Sequence, residues 1–236
     1  MQTRNPDLVE NLVAANRILA QQGILDGFGH VSVRHDSDPN RYLLSRSIAP
    51  ELITSADIME FDLDSNPIDA KGRGLYLERF IHGEIYKARP DVTAIVHNHS
   101  PALIPFGVAP MPLRPLYHLT AFVGEGIPVF DIRDAAGATD MLVSDSAKGR
   151  ALVQTLQDKP GVLMRGHGAS VVGPSIQVAV GRSIYLELDA RLQMQVLPFG
   201  DKVRYLSSEE VKLLMVNETA RYDRPWQMWK RKAMGG

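Results

Sequence analysis

The chain has 236 residues, 44% of them apolar and 22% charged, with 19 Gly and 15 Pro, a globular composition that excludes a disordered tail, a collagen-like repeat and a coiled coil. Its 26 basic and 27 acidic residues leave a net charge of −1, which argues against nucleic acid as a partner, because phosphate neutralisation supplies most of that affinity. The absence of cysteine excludes disulfide frameworks, Fe–S clusters, zinc ribbons and thiol nucleophiles and fits a cytoplasmic protein, so the chemistry must rest on His, carboxylates, hydroxyls and Arg.

No apolar leader core follows the Arg of Met1-Gln2-Thr3-Arg4-Asn5-Pro6-Asp7, and no apolar run reaches the ~18 residues of a membrane span. Asn5-Pro6 reads as an N-cap with proline at the first helical position, opening a helix whose stripe of Leu8, Leu12, Ala15 and Leu19 ends at Gly23. Gly27 to Arg34 reads as a turn into a half-buried strand, with Val31 and Val33 alternating with Ser32 and Arg34. Arg41 to Ser45 is its expected hairpin partner and Ile58 to Leu63 a third strand. Tyr76 to Ala88 favours helix, stopped by Arg89-Pro90. Thr93 to His99, Ile127 to Phe130 and Val162 to Arg165 are β-type runs, with a helix over Ala151 to Leu156 between the last two. Gly173-Pro174-Ser175 opens the longest helix, to about Leu197, and Ser207-x-x-Glu210 caps a last one near Val211 to Ala220. One α/β domain over residues 1–236 is the simplest organisation.

The sharpest chemical signal is Val96-His97-Asn98-His99-Ser100. Residues i and i+2 of a strand point to one face, so His97 and His99 project together at a strand end, where a divalent cation is a natural third party. A chance pair, each imidazole satisfied by a backbone carbonyl, is the plain alternative. His167, in Arg165-Gly166-His167-Gly168, also follows a short apolar run, and its flanking glycines permit a close approach. Glu78 begins the helix that carries His82 and Tyr86 at i+4 and i+8. It is a candidate fourth ligand or general acid/base, or else a first-turn glutamate favoured by the helix dipole. His82 reads as structural.

Glu78, His97-x-His99 and a Gly-flanked His ahead of a long helix, together with Gly29-His30-Val31-Ser32-Val33-Arg34, resemble the class II aldolase/adducin family from about Asp7 to Leu197. The resemblance implies a three-layer α/β/α sandwich on a mixed, mostly antiparallel sheet. It also implies one divalent metal ion per subunit held by His97, His99 and His167, with Glu78 as ligand or acid/base. Three imidazoles and an oxygen ligand suit Zn, Mn, Co or Fe. The family's enzymes are typically tetramers, with the active site between neighbouring subunits.

The family's sugar-phosphate enzymes cradle phosphate on small hydroxyl and glycine residues, but this chain has Leu44-Ser45-Arg46-Ser47-Ile48-Ala49-Pro50 and Leu75-Tyr76-Leu77-Glu78-Arg79 in those places. Bulky side chains deny backbone N–H groups the convergence an anion nest needs. The pattern is similar to the decarboxylase branch, typified by 3-hydroxy-2-methylpyridine-4,5-dicarboxylate decarboxylase. The expected substrate is a small hydroxy-aromatic or hydroxypyridine carboxylate, bound by Arg46, Ser45, Ser47, His30 and Arg114 over an apolar slot of Tyr76, Leu77, Phe106 and Tyr117. Arg46 and Arg114 also read as ordinary surface ion pairs. Glu78 or His118 would supply the proton that replaces CO2. An aldolase for a non-phosphorylated hydroxy-keto acid is the alternative; an epimerase or dehydratase and a non-catalytic adducin-like module rank below it. The helical segment 205–236 is expected at a subunit interface, with Trp226 and Trp229 packed on the neighbour.

Overall fold

Residues 5–235 are described by a computed structural model; the leader expectation drawn from Met1 to Asp7 falls mostly outside them. Seven strands, β1 (His30–Arg34), β2 (Arg41–Ser45), β3 (Ile58–Asp62), β4 (Ala94–Asn98), β5 (Val129–Phe130), β6 (Gly161–Met164) and β7 (Gly168–Gly173), make one sheet. The order across it is β3-β2-β1-β4-β7-β6-β5. Every neighbouring pair is antiparallel except β5 with β6, which gives the mixed, mostly antiparallel sheet expected. The helices among the described residues are α1 (Pro6–Gln21), α2 (Arg79–Ala88), α3 (Ile104–Val108), α4 (Ile132–Ala136), α5 (Ser146–Leu156), α6 (Ile176–Val196), α7 (Ser208–Met215), α8 (Glu218–Arg221) and α9 (Asp223–Ala233).

Alternation across the pleat sorts the core into two faces. Val31, Val33 and Val96 pack with Leu12 and Leu19 of α1 and Val180 of α6. Leu44, Ile95 and Val172 point the other way, onto Ile81 and Ile85 of α2 and Leu152 of α5. The result is the three-layer α/β/α sandwich. The long helices start where their caps predict: Asn5 accepts from Asp7 N at 3.0 Å, and Ser175 accepts from Val178 N at 3.2 Å. No helix among the described residues is long and apolar enough to cross a membrane.

Three expectations need correction. The helix expected from Tyr76 begins at Arg79, with Glu78 at its N-cap; Tyr76 lies ahead of it in the connecting loop, its hydroxyl donating to the Ile48 carbonyl at 2.7 Å. The last helix is not Val211 to Ala220; the chain breaks after Met215, resumes as α8 and continues into α9. Pro225 fits inside the first turn of α9, where no intrahelical N–H bond is lost. Trp226 and Trp229, expected on a neighbouring subunit, bury their rings within their own chain instead: they are 7% and 6% exposed, in the cluster that includes α1 and α6.

Candidate metal centre

Three elements of this sandwich deliver four ligand atoms to one point. β4 carries His97 and ends next to His99. The turn between β6 and β7 carries His167, and Gly168 there packs so tightly on Asn98 and His99 that a side chain would collide with their backbone. That contact, anticipated from the flanking glycines, sets the two histidine segments side by side. Glu78 caps α2. Ligand atoms of Glu78, His97, His99 and His167 all lie within 4.8 Å of one another. Glu78 Oε2 is 3.3 Å from both His97 Nε2 and His167 Nε2, and His99 Nε2 is 3.0 Å from His167 Nε2.

The supporting hydrogen bonds make these atoms electron donors. Ser170 donates to Met164 Sδ (3.6 Å), so its Oγ accepts from His97 Nδ1–H at 3.3 Å and leaves Nε2 bare. His167 Nδ1–H donates to the Met141 carbonyl at 3.1 Å, with the same consequence. Val143 N donates to Glu78 Oε1 at 3.0 Å, aiming Oε2 inward. His97 Nε2 is fully buried without a hydrogen-bond partner, and converging lone pairs repel unless a cation lies between them. Ligand atoms around a tetrahedral ion at about 2.0–2.1 Å stand roughly 3.3 Å apart, so the donor set fits a divalent metal. Burial alone would raise the Glu78 carboxyl, but in the metal-free site protons shared with the His97 and His167 imidazoles outweigh it and hold the group well below the usual carboxylate range. Burial, then His97 and His167, press the His99 imidazole down to about 4, which keeps it neutral for ligation at pH 7.

A cleft of about 340 Å³ opens onto Glu78 and His99. Its walls include Tyr76, Leu77, Phe28, Ile48 and Leu142, with Ser47 and His30 as polar members. Neither Lys nor Arg is among the described residues that line it.

The sequence profile of the Class II Aldolase and Adducin N-terminal domain matches residues 10–194. The chain belongs to this family. A decarboxylase, tropJ, of Talaromyces stipitatus is 30% identical over 97% of this chain and 94% of its own length. The 3,4-dihydroxyphthalate decarboxylase of Arthrobacter keyseri is 29% identical over 86% and 84%. Among solved structures, L-fuculose 1-phosphate aldolase from Glaciozyma antarctica matches with a TM-score of 0.78 and 26% identity, over 97% of this chain and 90% of that one. Decarboxylases and aldolases both cleave carbon–carbon bonds, so this family member is a carbon–carbon lyase.

Of the residues expected to bind substrate in this family member, His30, Ser47, Tyr76 and Leu77 line the cleft. Ser45 stands behind it, its Oγ 3.2 Å from the Tyr76 hydroxyl. Arg46 turns away: its Nε donates to Asp57 Oδ1 at 2.5 Å. Arg114 lies over the Tyr205 ring, 3.9 Å from its centroid, in a separate cavity with Lys212. Tyr117 and His118 open the 3-10 turn His118–Val123, outside the cleft lining, and Phe106 is buried in a core cluster. Phe28, 70% exposed at the mouth with its ring 6.2 Å from that of His99, escaped sequence reasoning. Its signal was an aromatic between Gly27 and Gly29, and a single exposed apolar side chain is ordinary enough to pass unmarked in a sequence.

Proposed function

We propose that this chain is a divalent-metal-dependent decarboxylase of a hydroxy-aromatic or hydroxypyridine (di)carboxylate. The observation that carries this reading is a three-His, one-Glu centre opening into a mostly apolar cleft with no Lys or Arg among the described residues of its walls. A sugar phosphate would press a hydroxylated chain against these apolar walls, whereas a planar ring between Phe28, Tyr76 and Leu77 buries apolar surface there and keeps its carboxylate for the metal end of the cleft. The relatives named as decarboxylases support the same choice.

A divalent ion bound there supplies Lewis-acid charge to a ring hydroxyl and the adjacent carboxylate, which is the charge that electron density from C–C cleavage needs. The protein's part is positional. His97, His99 and His167 hold the ion as neutral donors, leaving its charge for the substrate. The cleft walls keep water from the ring, and the Ser47 hydroxyl is available to a carboxylate oxygen. Glu78 Oε2, at the same point, would take the proton of the ring hydroxyl when the substrate binds and return it to the ring carbon once CO2 has gone. His118 would have to act on a neighbouring subunit's site. In this reading the chain works as a cytoplasmic homo-oligomer, tetrameric by resemblance. Segment 205–236 lies at its contacts, where Leu213 of α7 is 76% exposed. The metal is Zn, Mn, Co or Fe.

Metal-loaded protein incubated with ortho-hydroxy benzoates and hydroxypyridine dicarboxylates should release CO2, as followed by mass spectrometry, and should lose that activity with chelator or in His97→Ala. Release of an aldehyde from a hydroxy-keto acid, with no CO2 from any ring acid, would replace this reading by the aldolase.

A further inference from the structure

Next to the metal centre, β1 and α2 bury a row of polar side chains that metal binding does not use. His30 and Ser32 are two apart on β1 and share one face of the sheet; His82 and Tyr86 are four apart on α2 and share one face of the helix. A strand advances about 6.7 Å in two residues and a helix about 6 Å in four, so the pairs run in step and interlock. His82 Nε2 is 2.6 Å from His30 Nδ1, and His82 Nδ1 is 2.6 Å from Ser32 Oγ. Ser32 Oγ is 2.8 Å from the Tyr86 hydroxyl, which reaches the Thr93 carbonyl at 3.5 Å. All four side chains are buried. A polar chain in a core is costly unless each member is paired, and here each member is.

Such a chain has two self-consistent proton orders, one pointing every proton inward and the other pointing every proton toward the cleft. Thr93 contributes a carbonyl oxygen, which can only accept. The inward order gives it the Tyr86 proton; the outward order sets two acceptors face to face. Inward, Ser32 donates to Tyr86, His82 Nδ1–H to Ser32, and His30 Nδ1–H to His82 Nε2. His30 Nε2 is then bare. It has no hydrogen-bond partner among the described residues, it is outside the ligand set, and His30 lines the cleft.

We propose that His82, backed by Ser32 and Tyr86, is a positioning residue that locks His30 as the Nδ1–H tautomer, so that the cleft selects ring carboxylates carrying a second, free hydroxyl that donates to His30 Nε2. The ligand class rests on the decarboxylase reading; the tautomer does not. A site built to accept a hydrogen bond discriminates against ligands that lack the donor, because its acceptor is then left dry.

Two measurements on zinc-loaded protein test this. Long-range 1H–15N NMR of 15N-His protein should show His30 protonated at Nδ1 only, and Tyr86→Phe, a change small enough to keep the fold, should mix in the other tautomer. Dissociation constants for 2-hydroxybenzoate and for the 2,3-, 2,4-, 2,5- and 2,6-dihydroxy isomers should show one isomer bound at least about tenfold more tightly. That preference should fall to within about twofold in His82→Phe at unchanged zinc content, with partial recovery in His82→Gln. A His30 Nε2–H tautomer in the wild type, no preferred isomer among bound ring acids, or a preference that His82→Phe and Tyr86→Phe both leave intact would each overturn it. If no ring acid binds or loses CO2, the decarboxylase reading falls, and the NMR tautomer alone then decides for or against the role of His82.

Discussion

Ser170 is the side chain that keeps the His97 Nδ1 proton in place, and its loss separates metal affinity from folding. Ser170→Ala leaves His97 and the strand intact while removing the acceptor at 3.3 Å. Titration with a metal indicator should show affinity weakened about 10- to 100-fold, as for other partners of metal-bound histidine, with Tm of the metal-free protein little changed. A second residue-scale prediction concerns Asp189 on α6. Burial raises its carboxyl to about 6, against the pull of bonds from Leu116 N and Thr120, and its Oδ2 is buried without a partner. A carboxyl raised in the folded state binds its proton more tightly there than in the unfolded chain. Its contribution is therefore full below about pH 4, the unfolded value, and is lost as pH rises through about 6. Asp189→Asn should flatten the fall in stability over that window when urea melts are compared at pH 4 and pH 7, and an unchanged slope would assign the fall to other groups.

Among the elements, α9 shows most clearly how tertiary packing decides what local pattern leaves open. Its segment carries basic residues between aromatics, a pattern that reads as an interface helix and does not say which surface it docks on. Its docking depends on partners far away in sequence: Lys230 Nζ meets Asn11 Oδ1 at 2.8 Å and Glu10 Oε1 at 2.7 Å on α1, and the Tyr222 ring lies where a side chain at Gly181 of α6 would stand. Trp229→Ala should lower stability by about 3–5 kcal/mol, in the range for a buried Trp. Gly181→Ala should cost about 1–3 kcal/mol through overpacking. Both are read from denaturant midpoints at unchanged m. Strands β1 and β2 and the caps of α1 and α6 were legible because alternation, Asn-Pro and Pro-Ser are local signals. Strand β7 was not, since Gly168-Ala169-Ser170-Val171-Val172-Gly173 is buried along its whole length and shows no period of two.

For the whole molecule, the members of the His/Glu cluster were legible in the sequence but their convergence was not. His97 and His99 announce themselves by strand spacing and His167 by its glycines, but only the sheet order, which pairs β4 with β7, brings them together, and only the docking of α2 adds Glu78. The substrate side was read less well. Arg46 is engaged by Asp57, and no spacing rule identifies which surface cation a loop carboxylate will capture. The segment with Arg114, Tyr117 and His118 is remote from the cleft in a single chain, so its expected role needs an assembly. Small-angle scattering should report a tetramer, and a monomer as active as the wild type would remove those three residues from the mechanism. The most direct measurement is to strip the protein with chelator and titrate Mn2+ or Zn2+ back while following CO2 release from an ortho-hydroxy ring carboxylate. The rate should rise linearly to one ion per chain and then level, with no rise in His167→Ala. CO2 released at full rate by the stripped protein would contradict a reaction centred on Glu78, His97, His99 and His167.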